Sequence, residues 1–135
     1  MADIRPFVVH PDELPVERWN DQALDGVTWR TLVSSDRAPT DSMTVGVAEI
    51  EPSRDLRVSL HRHGPAETYV IVTGEGVVSI EGVDHRVRQG STVFIPANAW
   101  HGVLNTSSDV MRLIYVFAVD SFADVIYEFP PSIDR

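Results

Sequence analysis

The stretch HRHGPAETYV, residues 61 to 70, decides how this chain is read, because it sets two imidazoles and a carboxylate at the head of a run that otherwise has the composition of buried strand. Side chains alternate between the faces of an extended strand. His61 and His63 therefore project together, with Arg57 and Ser59 on the same face and Leu60 and Arg62 on the other. Gly64-Pro65 interrupts the strand, and Glu67 opens the next one with Tyr69, Ile71 and Thr73 sharing its parity. If the turn folds Glu67 back beside the histidines, the three side chains make an N, N, O cluster. Burying a carboxylate without compensation costs on the order of several kcal/mol, and a divalent cation offsets that cost directly. Two neutral imidazoles and one carboxylate with open positions suit iron, manganese, nickel or zinc.

A fourth ligand is sought in GSTVFIPANAWHGVLN, residues 90 to 105, where a strand and a proline turn lead to His101. Val103 and Asn105 share its strand face, and Asn105 is placed for hydrogen bonding behind the ligands. The competing reading of these residues is a hydrogen-bonded polar cluster without metal. His10 and His85 sit in polar surroundings and read as surface histidines.

Around these segments the chain reads as short β-branched runs separated by turn residues. The strands are expected near 43 to 50, 56 to 63, 67 to 73, 76 to 81, 84 to 88, 92 to 95, 100 to 105 and 110 to 119. Glu51-Pro52-Ser53, Thr73-Gly74-Glu75-Gly76, Gln89-Gly90-Ser91 and Asn105 to Asp109 carry turn chemistry. An earlier apolar piece, Val27 to Val33, reads as a further strand. Short helical pieces are expected at Val16 to Leu24 and at Ser121 to Ile126, the second opened by a serine able to cap it. The organisation is one domain: an extension over residues 1 to 40 with an edge or exchanged strand, a β-barrel over 41 to 120, and a tail over 121 to 135 packing on the barrel.

With 135 residues and 43% hydrophobic content the chain can bury one real core. A formal net charge of -9 opposes binding to nucleic acid and to anionic membrane surfaces. The absence of cysteine excludes disulfides, thiolate nucleophiles and cysteine-ligated zinc. No segment approaches the roughly 18 apolar residues of a membrane span, and the expectation is a soluble, cytoplasmic protein.

The two histidine-bearing segments resemble the cupin superfamily. Its first motif, Gly-x5-His-x-His-x3or4-Glu-x6-Gly, is matched by His61, His63, Glu67 and Gly74; its second, Gly-x5-Pro-x-Gly-x2-His-x3-Asn, by Gly90, Pro96, His101 and Asn105. Asp55 stands in place of the opening glycine of the first, and Asn98 in place of the inner glycine of the second. The resemblance implies an all-β fold, an antiparallel jelly-roll barrel of the double-stranded β-helix type with short irregular or helical terminal segments. It implies one divalent metal held by His61, His63, Glu67 and His101, a small-molecule substrate, and a homodimer in which Val27 to Val33 adds to the partner's sheet.

Tyr69 is the candidate proton-transfer residue, its alternative role being to line the barrel. Arg57 is a candidate to hold a substrate carboxylate, or else a rim residue reaching solvent. Met111, Leu113, Tyr115 and Phe117 form the inward stripe of the last long strand, from which Tyr115 is the candidate to touch substrate; Ser59 joins Asn105 as a supporting residue. Trp100 should point away from His101, and Phe122, Tyr127 and Phe129 could close the barrel mouth or cover sheet. The expected function is a metal-dependent enzyme for a small oxygen-bearing molecule, a dioxygenase or a Lewis-acid lyase, cyclase or isomerase. The pattern His61-x-His63-x3-Glu67-x-Tyr69 is similar to that of cupin-type dimethylsulfoniopropionate lyases, in which the tyrosine acts as base, and also occurs in cupins such as zinc-dependent polyketide cyclases. Non-catalytic alternatives are a small-molecule-binding or sensory module, and a metal that only stabilises the fold.

Overall fold

The computed structural model describes residues 3–20, 26–53 and 60–131. Among these described residues the regular elements are nine strands: β1 (Glu17–Arg18), β2 (Val27–Val33), β3 (Thr44–Ile50), β4 (Glu67–Thr73), β5 (Glu75–Ile80), β6 (Val83–Arg88), β7 (Thr92–Ile95), β8 (His101–Asn105) and β9 (Met111–Phe117), with single 3-10 turns at Pro11–Glu13 and Phe122–Asp124. All pairings are antiparallel. Six strands form one sheet in the order β1-β2-β3-β9-β4-β7, and three form a second in the order β6-β5-β8. This is the jelly-roll β-barrel.

Strict alternation explains which face is core. In β9 Met111, Leu113, Tyr115 and Phe117 are buried while Arg112, Ile114 and Val116 between them are only partly so. The register carries the pattern across neighbours: Glu67, Phe117 and Thr44 form one row, and Tyr69, Tyr115, Gly46 and Thr31 the next. Glu67 and Tyr69 thus lie on the interior face, two residues from each other along β4.

Gly46 is required by its neighbour across the sheet. A Cβ there would sit 2.1 Å from Tyr115 Oη and 2.2 Å from its Cζ, so the phenol lies directly over bare backbone. Asn98, the residue in place of a motif glycine, has φ 64°, the left-handed conformation that asparagine tolerates. Its backbone N–H donates to His63 O at 2.9 Å, which ties the second motif's turn to the first motif's strand.

The strand boundaries follow the sequence pattern closely, with two differences. His61 and Arg62 form isolated bridges, to His101 and Glu128 respectively, and residues 56–59 of the strand expected at 56 to 63 fall outside the described residues. The helix expected at Val16 to Leu24 is absent over its described part, where Glu17 and Arg18 form β1. The reason is tertiary: Glu17 Oε2 accepts from the Thr31 backbone N–H and hydroxyl at 3.2 and 2.7 Å, and Trp19 packs 4.8 Å from the Trp29 ring, holding the segment on the sheet edge. Val27–Val33 lies between β1 and β3 of its own chain. At the other end, Ser121 caps the Phe122–Asp124 turn, its hydroxyl accepting from the Ala123 N–H.

The Gly46 contact gives a direct test of the packing. Gly46→Ala should destabilise the fold by about 1 to 3 kcal/mol, as overpacking does, read as a lowered Tm. Combining it with Tyr115→Leu should cost less than the sum of the two single changes.

Candidate metal centre

Three separate segments deliver the site. The His61 and His101 backbones pair with each other, N–H to carbonyl, at 2.9 Å in both directions. His63 follows one turn of the pleat later, and Glu67 enters on the first residue of β4, brought back by the Gly64-Pro65 turn. One ligand-type atom from each of His61, His63, Glu67 and His101 lies within 4.8 Å of every other. His63, Glu67 and His101 are buried.

The hydrogen bonds behind the rings determine what can lie between them. His63 Nδ1 is 2.9 Å from Pro65 O, and His101 Nδ1 is 2.8 Å from Ala99 O. A carbonyl oxygen can only accept, so each Nδ1 carries the proton and a neutral ring turns a bare Nε2 inward. Those two nitrogens stand 3.1 and 3.2 Å from the same oxygen, Glu67 Oε1. Three lone pairs cannot converge at that distance without positive charge between them. Either both rings take a second proton or a cation enters. Ligand atoms about 2.1 Å from one ion and at right angles to each other are about 3 Å apart, so the spacing fits a shared divalent ion. Burial pushes the Glu67 carboxyl up; donor bonds and positive charge from His101 and His63, present only when those rings carry a second proton, outweigh this and hold it below its ordinary value.

Beside the cluster opens a small cavity of about 70 Å³. His61, Glu67, Tyr69 and Tyr115 face it from the barrel, and Trp19, Trp29, Phe122, Tyr127 and Phe129 give it aromatic walls. Tyr69 is buried, its ring 6.1 Å from that of His101. Burial first, then the Glu67 charge, push its phenol well above the ordinary tyrosine range.

Among the other expected site residues, Asn105 is buried but serves a different purpose. Its Nδ2 donates to Ile50 O at 2.8 Å and to Asp109 O at 2.6 Å, and its Oδ1 accepts from Ser107. It staples the 105–109 turn to β3, and the backbone carbonyls of Pro65 and Ala99 orient His63 and His101. Arg57 and Ser59 lie outside the described residues. Trp100 faces outward beneath the Arg62 guanidinium, 4.6 Å away, and His10 and His85 are exposed. Tyr127 goes further than closing the mouth: its ring lies 5.0 Å from that of His61 and 5.3 Å from that of His63. The alternation of Val125, Tyr127 and Phe129 was the available signal for it.

The family description "Cupin domain" matches residues 46–117. This chain belongs to the cupin family. It is 35% identical over 127 residues to dimethylsulfoniopropionate lyase DddW of Ruegeria pomeroyi, covering 94% of this cupin and 82% of that protein. Its structure resembles a predicted oxalate decarboxylase from Thermotoga maritima, with a TM-score of 0.69, 25% identity, and coverage of 84% of this chain and 99% of that one. It shares its fold with the polyketide cyclase RemF from Streptomyces resistomycificus, at a TM-score of 0.74 and 18% identity over 95% and 89% of the two chains. Among the described residues of this cupin, no helix is long and apolar enough to cross a membrane.

If the converging lone pairs hold an ion, purified protein should carry close to one divalent metal per chain by elemental analysis. Glu67→Gln and His61→Ala should each lose most of it, and metal added at about 100 times its Kd should stabilise the wild-type fold by about 2.7 kcal/mol while leaving the variants nearly unmoved.

Proposed function

We propose that this cupin is a metal-dependent lyase that performs a β-elimination on a small carboxylate of the dimethylsulfoniopropionate type. The observation that carries the reading is the conjunction of the His61, His63, Glu67 and His101 cluster with Tyr69 on the wall of one cavity, in a chain related over 94% of its length to a lyase of that substrate.

The reaction needs a base at the carbon next to the carboxylate. That C–H pair becomes the new carbon–carbon double bond, the C–S bond breaks with its electrons going to sulfur, and the sulfonium leaves as neutral dimethyl sulfide with acrylate as the other product. Tyr69 Oη is the proton acceptor in this reading. In the protein alone, burial and Glu67 keep that phenol protonated, so it takes up the role once positive charge in the cluster outweighs them. His61, His63, Glu67 and His101 would hold the ion, which when bound supplies a Lewis acid for the substrate carboxylate. Trp19, Trp29 and Phe122 exclude water from the space where the C–S bond breaks.

Metal-loaded protein incubated with dimethylsulfoniopropionate should release dimethyl sulfide and acrylate in equal amounts, with and without oxygen, as read by gas chromatography and proton NMR. Tyr69→Phe should keep its metal and lose about 100-fold or more of the rate, the scale of general-base catalysis. Absence of both products from fully loaded protein would end the lyase reading. An unimpaired Tyr69→Phe would transfer the proton to another group, for which Tyr127→Phe is the next variant to measure.

A further inference from the structure

The segment that carries Tyr127 and Phe129 into the site is not a strand of either sheet. Its backbone pairs with the barrel at Arg62. Glu128 pairs with Arg62 as an isolated antiparallel bridge, Arg62 N–H to Glu128 O at 3.0 Å and Glu128 N–H to Arg62 O at 2.8 Å. The side chains repeat the connection outside: Arg62 Nε and Nη2 both donate to Glu128 Oε2, at 3.0 and 2.9 Å. The same guanidinium lies over the Trp100 ring at 4.6 Å.

Alternation gives this surface contact its meaning. Arg62 points out between His61 and His63, Trp100 precedes His101, and Glu128 points out between Tyr127 and Phe129. On the inner side of the same three segments, Tyr127 meets His61 and His63, and Phe129 lies 6.2 Å from His61. Both tail rings also pack on Trp19, at 4.8 and 5.4 Å. One outward cation therefore touches the neighbours of all three histidines and of the tail's two inward rings.

We propose that Arg62, Trp100 and Glu128 form a clasp that sets the register of the C-terminal strap, making Arg62 and Glu128 positioning residues for Tyr127 and Phe129 over the metal cluster. A slip of one residue in the bridge would turn Tyr127 outward and Glu128 inward, setting a second carboxylate beside Glu67. The ion pair is half exposed, so its share is modest and screened by salt. Its worth lies in adding to the ring contacts of Tyr127 and Phe129 in selecting one register of a short bridge.

Hydrogen exchange read by mass spectrometry on the full-length, metal-loaded protein tests this without reference to turnover. Arg62→Ala and Glu128→Gln should each speed exchange in peptides covering 121–131 by about fivefold to tenfold, the scale of an exposed ion pair with a stacked cation. Peptides from β3, β4 and β9 should stay unchanged, and metal content should stay full. Arg62→Lys, which keeps the charge but loses the fork and the stack, should fall between. Glu128→Gln stands on the tail and leaves the barrel strands untouched, so it reports even if Arg62→Ala folds poorly. Tail exchange within twofold of wild type in Glu128→Gln, or acceleration spread evenly over the barrel, would overturn the clasp. A kinetic arm rests on the lyase reading: with dimethylsulfoniopropionate, Glu128→Gln should raise KM about threefold to tenfold with metal retained. A protein without lyase activity would leave the exchange result standing, so the two ideas fail separately.

Discussion

Glu67 Oε1 stands between two ring nitrogens whose partners leave them no protons to offer. That constraint organises the rest of the molecule. Pro65 and Ala99 present backbone carbonyls to the outer nitrogens of His63 and His101, and this fixes both tautomers before any ligand arrives. An apolar interior tolerates such an arrangement when a cation completes it, since three converging acceptors would otherwise repel each other in a medium that screens poorly. The fold thus supplies an incomplete coordination sphere.

The barrel architecture is what makes the convergence rigid. His61 and His101 come from chain segments 40 residues apart in number, yet their backbones are paired to each other, so the two rings start from adjacent points of one ladder. Glu67 begins a strand flanked on both sides, by Phe117 in β9 and Ile95 in β7, both fully buried. A ligand set anchored on paired strands loses little freedom on binding an ion, which is the condition for a site formed in advance.

The strands and the clustering of His61, His63, Glu67 and His101 were legible because both rest on local signals: period-two alternation, turn residues between runs, and histidines at motif spacing. Asn98 shows how local the signal is, since its φ of 64° satisfies the requirement that a glycine would meet at that position. What escaped was set by contacts distant in sequence. Glu17 lies in a stretch with some helical character, and its two bonds to Thr31 draw it onto a sheet edge instead. Asn105 has the right residue type and strand face for a role behind the ligands, but the carbonyls of Ile50 and Asp109 claim both protons of its amide. The approach of Tyr127 to His61 depends on the Arg62–Glu128 bridge, a pairing of residues 66 positions apart that no motif marks.

The site therefore has two parts of different standing. Three histidines, Glu67 and Tyr69 belong to the barrel and share its stability, whereas Tyr127 and Phe129 belong to a strap joined by one bridge and a layer of aromatic contacts. Such a segment opens at a lower free energy than the strands beneath it. The cluster and its cover are thereby separable: the first consists of buried, anchored side chains, the second of a surface element that can be displaced while the cluster stays whole. Tyr127 and Phe129 face the cavity without contributing a ligand-type atom to the cluster, so the cover can change while the cluster's geometry stays as it is.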